Sequence, residues 1–134
     1  DDFILDDNKF HIAVVGSRSI TDKDRVFEII ENVLTLIDVK FDIPKEAVVI
    51  ISGGAKGIDS IANEYANDNN LDTIIIKPDW DKYNKSAGVR RNKNIIRNAN
   101  YVIAIIANNS KGTLNSISHA EKMNKPYMVF DYED

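Results

Sequence analysis

The chain has no cysteine, which removes disulfides, thiolate metal sites and cysteine nucleophiles together. Histidine occurs only as His11 and His119. Neither has a second histidine or a carboxylate at ligand spacing on the same face, so no metal site is expected. No serine stands in a G-x-S-x-G elbow, which leaves triad hydrolysis unsupported. The longest unbroken apolar run, Tyr101 to Ala107, is far short of a membrane span. With three prolines and six glycines, collagen-like and low-complexity architectures are excluded, apart from acidic runs at the two ends. No signal peptide is visible, and the sequence opens on Asp1 rather than methionine, so a further segment upstream is an open expectation. A cytoplasmic protein with no membrane partner is the default expectation.

What remains is an ordinary globular composition, with 43% apolar and 28% charged residues. A chain of 134 residues is expected to fold as one domain over 1–134, with its core at about 11–131. Folding at this size buries roughly 68% of the unfolded surface, enough for one real core. Charge is unevenly spread. Seven cations (Lys77, Lys82, Lys85, Arg90, Arg91, Lys93 and Arg97) face two acids, Asp79 and Asp81, giving this stretch +5 in a chain whose total is −4. A globally acidic protein with one basic segment suits a small anionic ligand better than long duplex DNA.

Five short β-branched runs read as strands: Ile12–Val15, Ala47–Ile51, Thr73–Ile76, Tyr101–Ala107 and Tyr127–Phe130. They lack clean alternation, which predicts cover on both faces, as in a parallel sheet. Between them lie helical stripes. Val26, Ile29, Ile30, Val33, Leu34 and Ile37 follow Thr21 and Asp22 as candidate caps, and Ile58, Ile61, Ala62, Tyr65 and Ala66 form the second. Two weaker helices are expected from about Val89 to Asn98 and from Leu114 to Asn124. Alternating strands and helices give an α/β fold: a Rossmann-like, doubly wound, mainly parallel five-stranded sheet with helices on both faces.

In such sheets ligands sit beyond the carboxyl ends of the strands. There the sequence repeatedly places glycine, hydroxyl and cationic residues. Gly16-Ser17-Arg18-Ser19 follows the first strand, Ser52-Gly53-Gly54-Ala55-Lys56-Gly57-Ile58-Asp59 the second, and Asn108-Asn109-Ser110-Lys111-Gly112-Thr113 the fourth. The glycine-rich turn can bring backbone amides close to an anion at a helix start, although its spacing is neither the dinucleotide fingerprint nor a P-loop. Gly53, Gly54 and Gly57 are read as amide donors, Lys56 and Arg91 as phosphate partners, and Ser110 and Thr113 as hydroxyl donors. Asp59 either orients the turn or accepts from a ribose hydroxyl. Arg90, Arg91 and Asn92 open a helix against its own dipole, a cost in stability that points to a ligand. Trp80 either stacks on a nucleobase or closes the sheet edge.

Four of these motifs in this order, Gly16-Ser17-Arg18, Ser52 to Asp59, Arg91-Asn92-Lys93 and Ser110-Lys111-Gly112-Thr113, resemble the SLOG superfamily, named for the Smf/DprA and LOG proteins. Asp79-Trp80, Ala87-Gly88 and Arg90-Arg91-Asn92 resemble its small YspA-type (cpYpsA-related) branch in particular. The likeness spans about Ile12 to Phe130. It implies a Rossmann-like fold that binds nucleotides or nucleotide-derived ligands, as a sensor or sequestering module, with no required cofactor. LOG members cleave an N-glycosidic bond with an arginine, here Arg91, and a glutamate in a P-G-G-x-G-T-x-x-E loop. That glutamate position falls on Ser116, which cannot act as a general acid, so an N-glycosidase is the alternative rather than the first expectation. DprA members bind single-stranded DNA, a second alternative against which the acidic overall charge weighs. LOG and DprA relatives form dimers, so a homodimer stays open.

Overall fold

Strands and helices alternate along the whole of residues 8–132, which the computed structural model describes. The acidic termini and the outermost ends of the expected 1–134 domain lie outside the described residues. The order is β1 (Phe10–Gly16), α1 (Lys23–Phe41), β2 (Val48–Ser52), α2 (Ile58–Asp68), β3 (Asp72–Ile75), α3 (Trp80–Tyr83), α4 (Ala87–Arg97), β4 (Tyr101–Ile106), α5 (Lys111–Lys122) and β5 (Tyr127–Asp131). All five strands pair in parallel, in the order β3-β2-β1-β4-β5. This is a Rossmann-like α/β fold. The chain starts in the centre, builds outward to β3, then crosses back to β4, so the topology switches direction between β1 and β4.

The side-chain alternation of the central strands divides the core into two layers. Ile12 and Val14 of β1, Val48 and Ile50 of β2, and Ile103 and Ile105 of β4 pack with the apolar stripes of α1 and α2. Ala13 and Val15, Ile51, and Val102 and Ala104 turn to the other face, against Ile95, Ile96 and Ala120 of α4 and α5. Cover on both faces explains why β1, β2 and β4 read as continuous apolar runs. The expectation fails for the edge strands: Ile75 of β3 and Val129 of β5 are 44% and 42% exposed. The helices lie over the middle of the sheet, so an edge strand's β-branched residues need not be buried.

Local chemistry sets the element ends. Asp22 caps α1, its carboxylate accepting from the Arg25 amide at 3.2 Å. Because glycine is scarce, Asp42, Asn70, Asn84, Asn108, Asn109 and Asn124 occupy the left-handed positions, which short amide and carboxyl side chains tolerate better than others. Several boundaries differ from the sequence pattern: α5, for one, begins at Lys111 rather than Leu114, and strand ends shift by a residue or two. Trp80–Tyr83, a stretch with no helical pattern of its own, makes one helical turn because the Asp79 carboxylate accepts from the Lys82 amide at 3.1 Å. Helix α4 begins at Ala87, not Val89, which moves Arg91 out of the first turn and weakens the argument from the helix dipole.

His119 on α5 has a buried Nε2 with no hydrogen-bond partner among the described residues. Burial lowers its pKa from the ordinary value, and Lys122 and Lys93 push it the same way. The unfolded chain therefore takes up this proton at higher pH than the folded chain does. The contribution is fully present above about pH 6.5 and is lost as pH falls through that value towards the depressed native pKa. The urea midpoint is expected to drop between pH 8 and pH 5.5, and His119→Gln should flatten that drop. An equal drop in the variant would rule out this assignment.

Candidate functional site

A cavity of about 490 Å³ opens where the topology switches, between the carboxyl ends of β1 and β4. Five segments reach it: the loop after β1, the turn after β2, the face of α4, the loop after β4 and the start of α5. Gly16, Ser17, Arg18, Ala55, Asp59, Arg91 and Asn92 are brought together there, joined from the α5 side by Ser110, Gly112 and Thr113. The open-sheet rule places ligand crevices at such a switch point.

Arg91 is the hinge between these segments. Its Nη1 donates to the Gly53 carbonyl at 2.9 Å, and its Nε donates to Asn92 Oδ1 at 3.0 Å. Asn92 in turn donates to Asn115 Oδ1 at 3.1 Å, which ties α4 to α5. Burial lowers the Arg91 pKa; nearby Asp59 opposes that and Arg18 adds to it. The guanidinium nevertheless stays charged, because arginine starts far above neutrality.

Asp59 is 8% exposed, and its Oδ2 accepts from the Ala55 amide at 3.1 Å. Burial raises its pKa; the Ala55 amide, Arg91, the Gly53 amide and Arg18 pull it down without cancelling the rise. The glycine-rich turn thus closes on its own carboxylate. Of the two roles open to Asp59 from sequence, orienting the turn is the one this geometry displays. Amides read as donors to a ligand are in part spent on this internal anion.

Ser17 is also committed internally. Its Oγ donates to the Ala107 carbonyl at 3.2 Å and accepts from the Ala107 amide at 2.8 Å, clipping the loop after β1 to the end of β4. The α5 side is more open. Ser110 caps the helix by accepting from the Thr113 amide at 3.4 Å, and nothing lies within 4 Å of where a Cβ on Gly112 would stand. The first-turn N–H groups of a helix have no intrahelical acceptor, so this end can meet an anion.

Seven of the residues singled out from sequence do not line the cavity. Gly53 lies behind Arg91, and Gly54, at φ +73°, packs towards Ile75. Gly57 abuts the backbone of Arg18. Lys56 and Lys111 are exposed on their turns. Trp80 is 55% exposed, its ring tip 3.8 Å from where a Cβ on Gly88 would stand, and Arg90 donates to Ser86 Oγ at 3.1 Å with its guanidinium 4.4 Å from the Tyr83 ring centroid. Conversely, Ser19, Gly88, Asn108 and Ser116 line the cavity without having been singled out as binding residues. Ser19 and Asn108 could have been found as polar neighbours in the same strand-end loops. Gly88 and Ser116 have no such signal in their residue type; for them the pointer was the family resemblance, through the Ala87-Gly88 motif and the LOG glutamate position.

A family model described as YAcAr, the YspA, cpYpsA-related SLOG family, matches residues 10–83, more than half of the chain. The match takes in the loops after β1 and β2, while Arg91 and the start of α5 lie beyond it. The gene 61 protein of Mycobacterium phage D29 is 29% identical over 125 residues, covering 89% of this chain and 94% of that protein. Among solved structures, DNA processing protein A from Helicobacter pylori, which has a single-stranded DNA binding mode, matches with a TM-score of 0.67 at 22% identity over 92% of this chain. DNA processing protein A from Streptococcus pneumoniae matches with a TM-score of 0.68 at 22% identity over 90%. The chain spans 66% and 50% of those two proteins, and the likeness at this identity is one of fold. No helix among the described residues is long and apolar enough to cross a membrane.

Proposed function

The chain belongs to the YspA, cpYpsA-related SLOG family, and we propose that its cavity between β1 and β4 binds a nucleotide or nucleotide-derived phosphate ligand. One observation carries this reading: Arg18 and Arg91 meet the start of α5 around a single hollow at the topological switch. The phosphate would lie between the two guanidiniums and the first turn of α5, with Ser110 and Thr113 beside it. Arginine suits this task because its planar fork matches phosphate oxygens in pairs. Asp59 holds the turn and lends Arg91 a neighbouring opposite charge rather than meeting the ligand. The exposed Lys56 has no part in this arrangement.

Binding without turnover fits the side chains best. Ser116, where the LOG resemblance puts a glutamate, lines the cavity and is 2% exposed. Native mass spectrometry of freshly purified protein, followed by calorimetric titration with nucleoside 5′-monophosphates, tests the proposal. One nucleotide per chain, or saturable heat with at least one of them, is expected, with no base released from AMP or NAD on incubation. Absence of both adduct and heat would overturn it.

Single-stranded DNA is the second reading, favoured by cations that continue along α4 beyond Arg91, at Lys93 and Arg97. That reading requires binding to an oligonucleotide that weakens steeply with salt, since each neutralised phosphate releases counterions. A shallow salt response removes it.

A further inference from the structure

A second cavity, of about 460 Å³, lies on the β3 side of α4, and Arg91 lines it as well as the first. Lys77 from the end of β3 and Arg90, Lys93 and Arg97 from α4 surround it, with Asp79 as its one carboxylate. Lys77, Lys93 and Arg97 form no ion pair among the described residues, where the three ion pairs are Lys23–Glu64, Arg25–Glu28 and Lys45–Glu31. Arg90 is steered across the Tyr83 ring rather than to a carboxylate. Five cations against one acid, in a chain of net charge −4, repel one another at a cost that nothing among those ion pairs offsets.

From this juxtaposition we infer that the second cavity takes a second phosphate of the same ligand, so that the bound molecule carries two anionic groups on either side of Arg91. The inference rests on the reading of the first cavity. The second phosphate reaches the site either along a polyphosphate chain or through a second nucleotide. Arg91 serves both ends, while Lys77 and Arg97 serve only the second.

Isothermal titration with AMP, ATP and the 5′-phosphorylated dinucleotide pApA tests this, using wild type and the Lys77→Ala/Arg97→Ala double variant. Both substituted residues lie outside the first cavity, and circular dichroism verifies that the variant folds. Tethering a second contact to a first raises affinity without altering the first, and about 10- to 100-fold tighter binding than AMP is expected for ATP or pApA. Which of the two gains identifies how the phosphates are joined. The variant should lose most of that gain and leave AMP unchanged. AMP binding with no gain for either larger ligand, or a gain that survives in the variant, overturns the second site and leaves the first standing. Binding of none of the three, with no heat from any other nucleoside 5′-monophosphate, overturns both.

Discussion

Arg91→Ala is expected to weaken nucleotide binding by about 1.5–3 kcal/mol, the worth of a charge-assisted contact, or roughly 10- to 150-fold in Kd. Titration calorimetry with the nucleoside monophosphate that wild type binds most tightly measures it directly. The number has two physical sources. One is the lost guanidinium–phosphate contact. The other is internal: Arg91 also donates to the Gly53 carbonyl and to Asn92, so its removal loosens the turn after β2 against α4.

Arg91→Lys separates the two. Lysine keeps the charge but loses the fork, and a compact ammonium cannot hold the Gly53 carbonyl and a phosphate in the same way. Binding by the lysine variant should therefore fall between wild type and alanine. Removal of the guanidinium also leaves Asp59, already raised by burial, with less opposing charge, so its carboxyl should rise further in Arg91→Ala. An unchanged Kd in Arg91→Ala would place the phosphate elsewhere and remove the proposed site.

The fold was largely legible because periodicity and burial agree over long stretches. The six stripe residues of α1 are all buried, and the apolar runs at β1, β2 and β4 are covered on both sides. Legibility failed where a single side chain decides the local structure. The carboxylate of Asp79 makes a helical turn from a segment with no apolar pattern, and no periodicity reports that. The cavity shows the same division. Loops after β1, β2 and β4 had to meet because a parallel sheet places its carboxyl ends on one rim, which follows from topology alone. Which way each residue faces on that rim does not follow. Arg90 and Arg91 are neighbours in sequence, yet Arg91 reaches Gly53 while Arg90 turns to Tyr83. Nor could residue types reveal that Asp59 would occupy the turn's own amides, since any carboxylate four residues after a loop amide can do so or face away.

Gly57→Ala is expected to destabilise the protein by roughly 2–5 kcal/mol, through two costs that share one cause. Gly57 sits at φ +78° and ψ −129°, a region that residues with a side chain rarely adopt and only under strain. A Cβ there would stand 2.5 Å from the Arg18 carbonyl oxygen and 2.6 Å from the Arg18 Cα, both backbone atoms that no rotamer change can clear. Relief requires separating the start of α2 from the loop after β1, which would also break the bond from the Ile58 amide to the Ser17 carbonyl at 3.4 Å. The damage should therefore reach Arg18 and the cavity as well as the global stability. Gly112→Ala provides the contrast. Nothing stands within 4 Å of the added methyl, and alanine favours the first turn of a helix, so stability should hold or rise by up to about 1 kcal/mol. Because Gly112 lines the cavity, that same methyl should weaken nucleotide binding. Urea denaturation and calorimetry on the two variants thus separate the glycine that shapes the loop from the glycine that faces the ligand. No loss at Gly57 would remove the clash with Arg18, and a loss at Gly112 as large as that at Gly57 would show that Gly112 does not face open space.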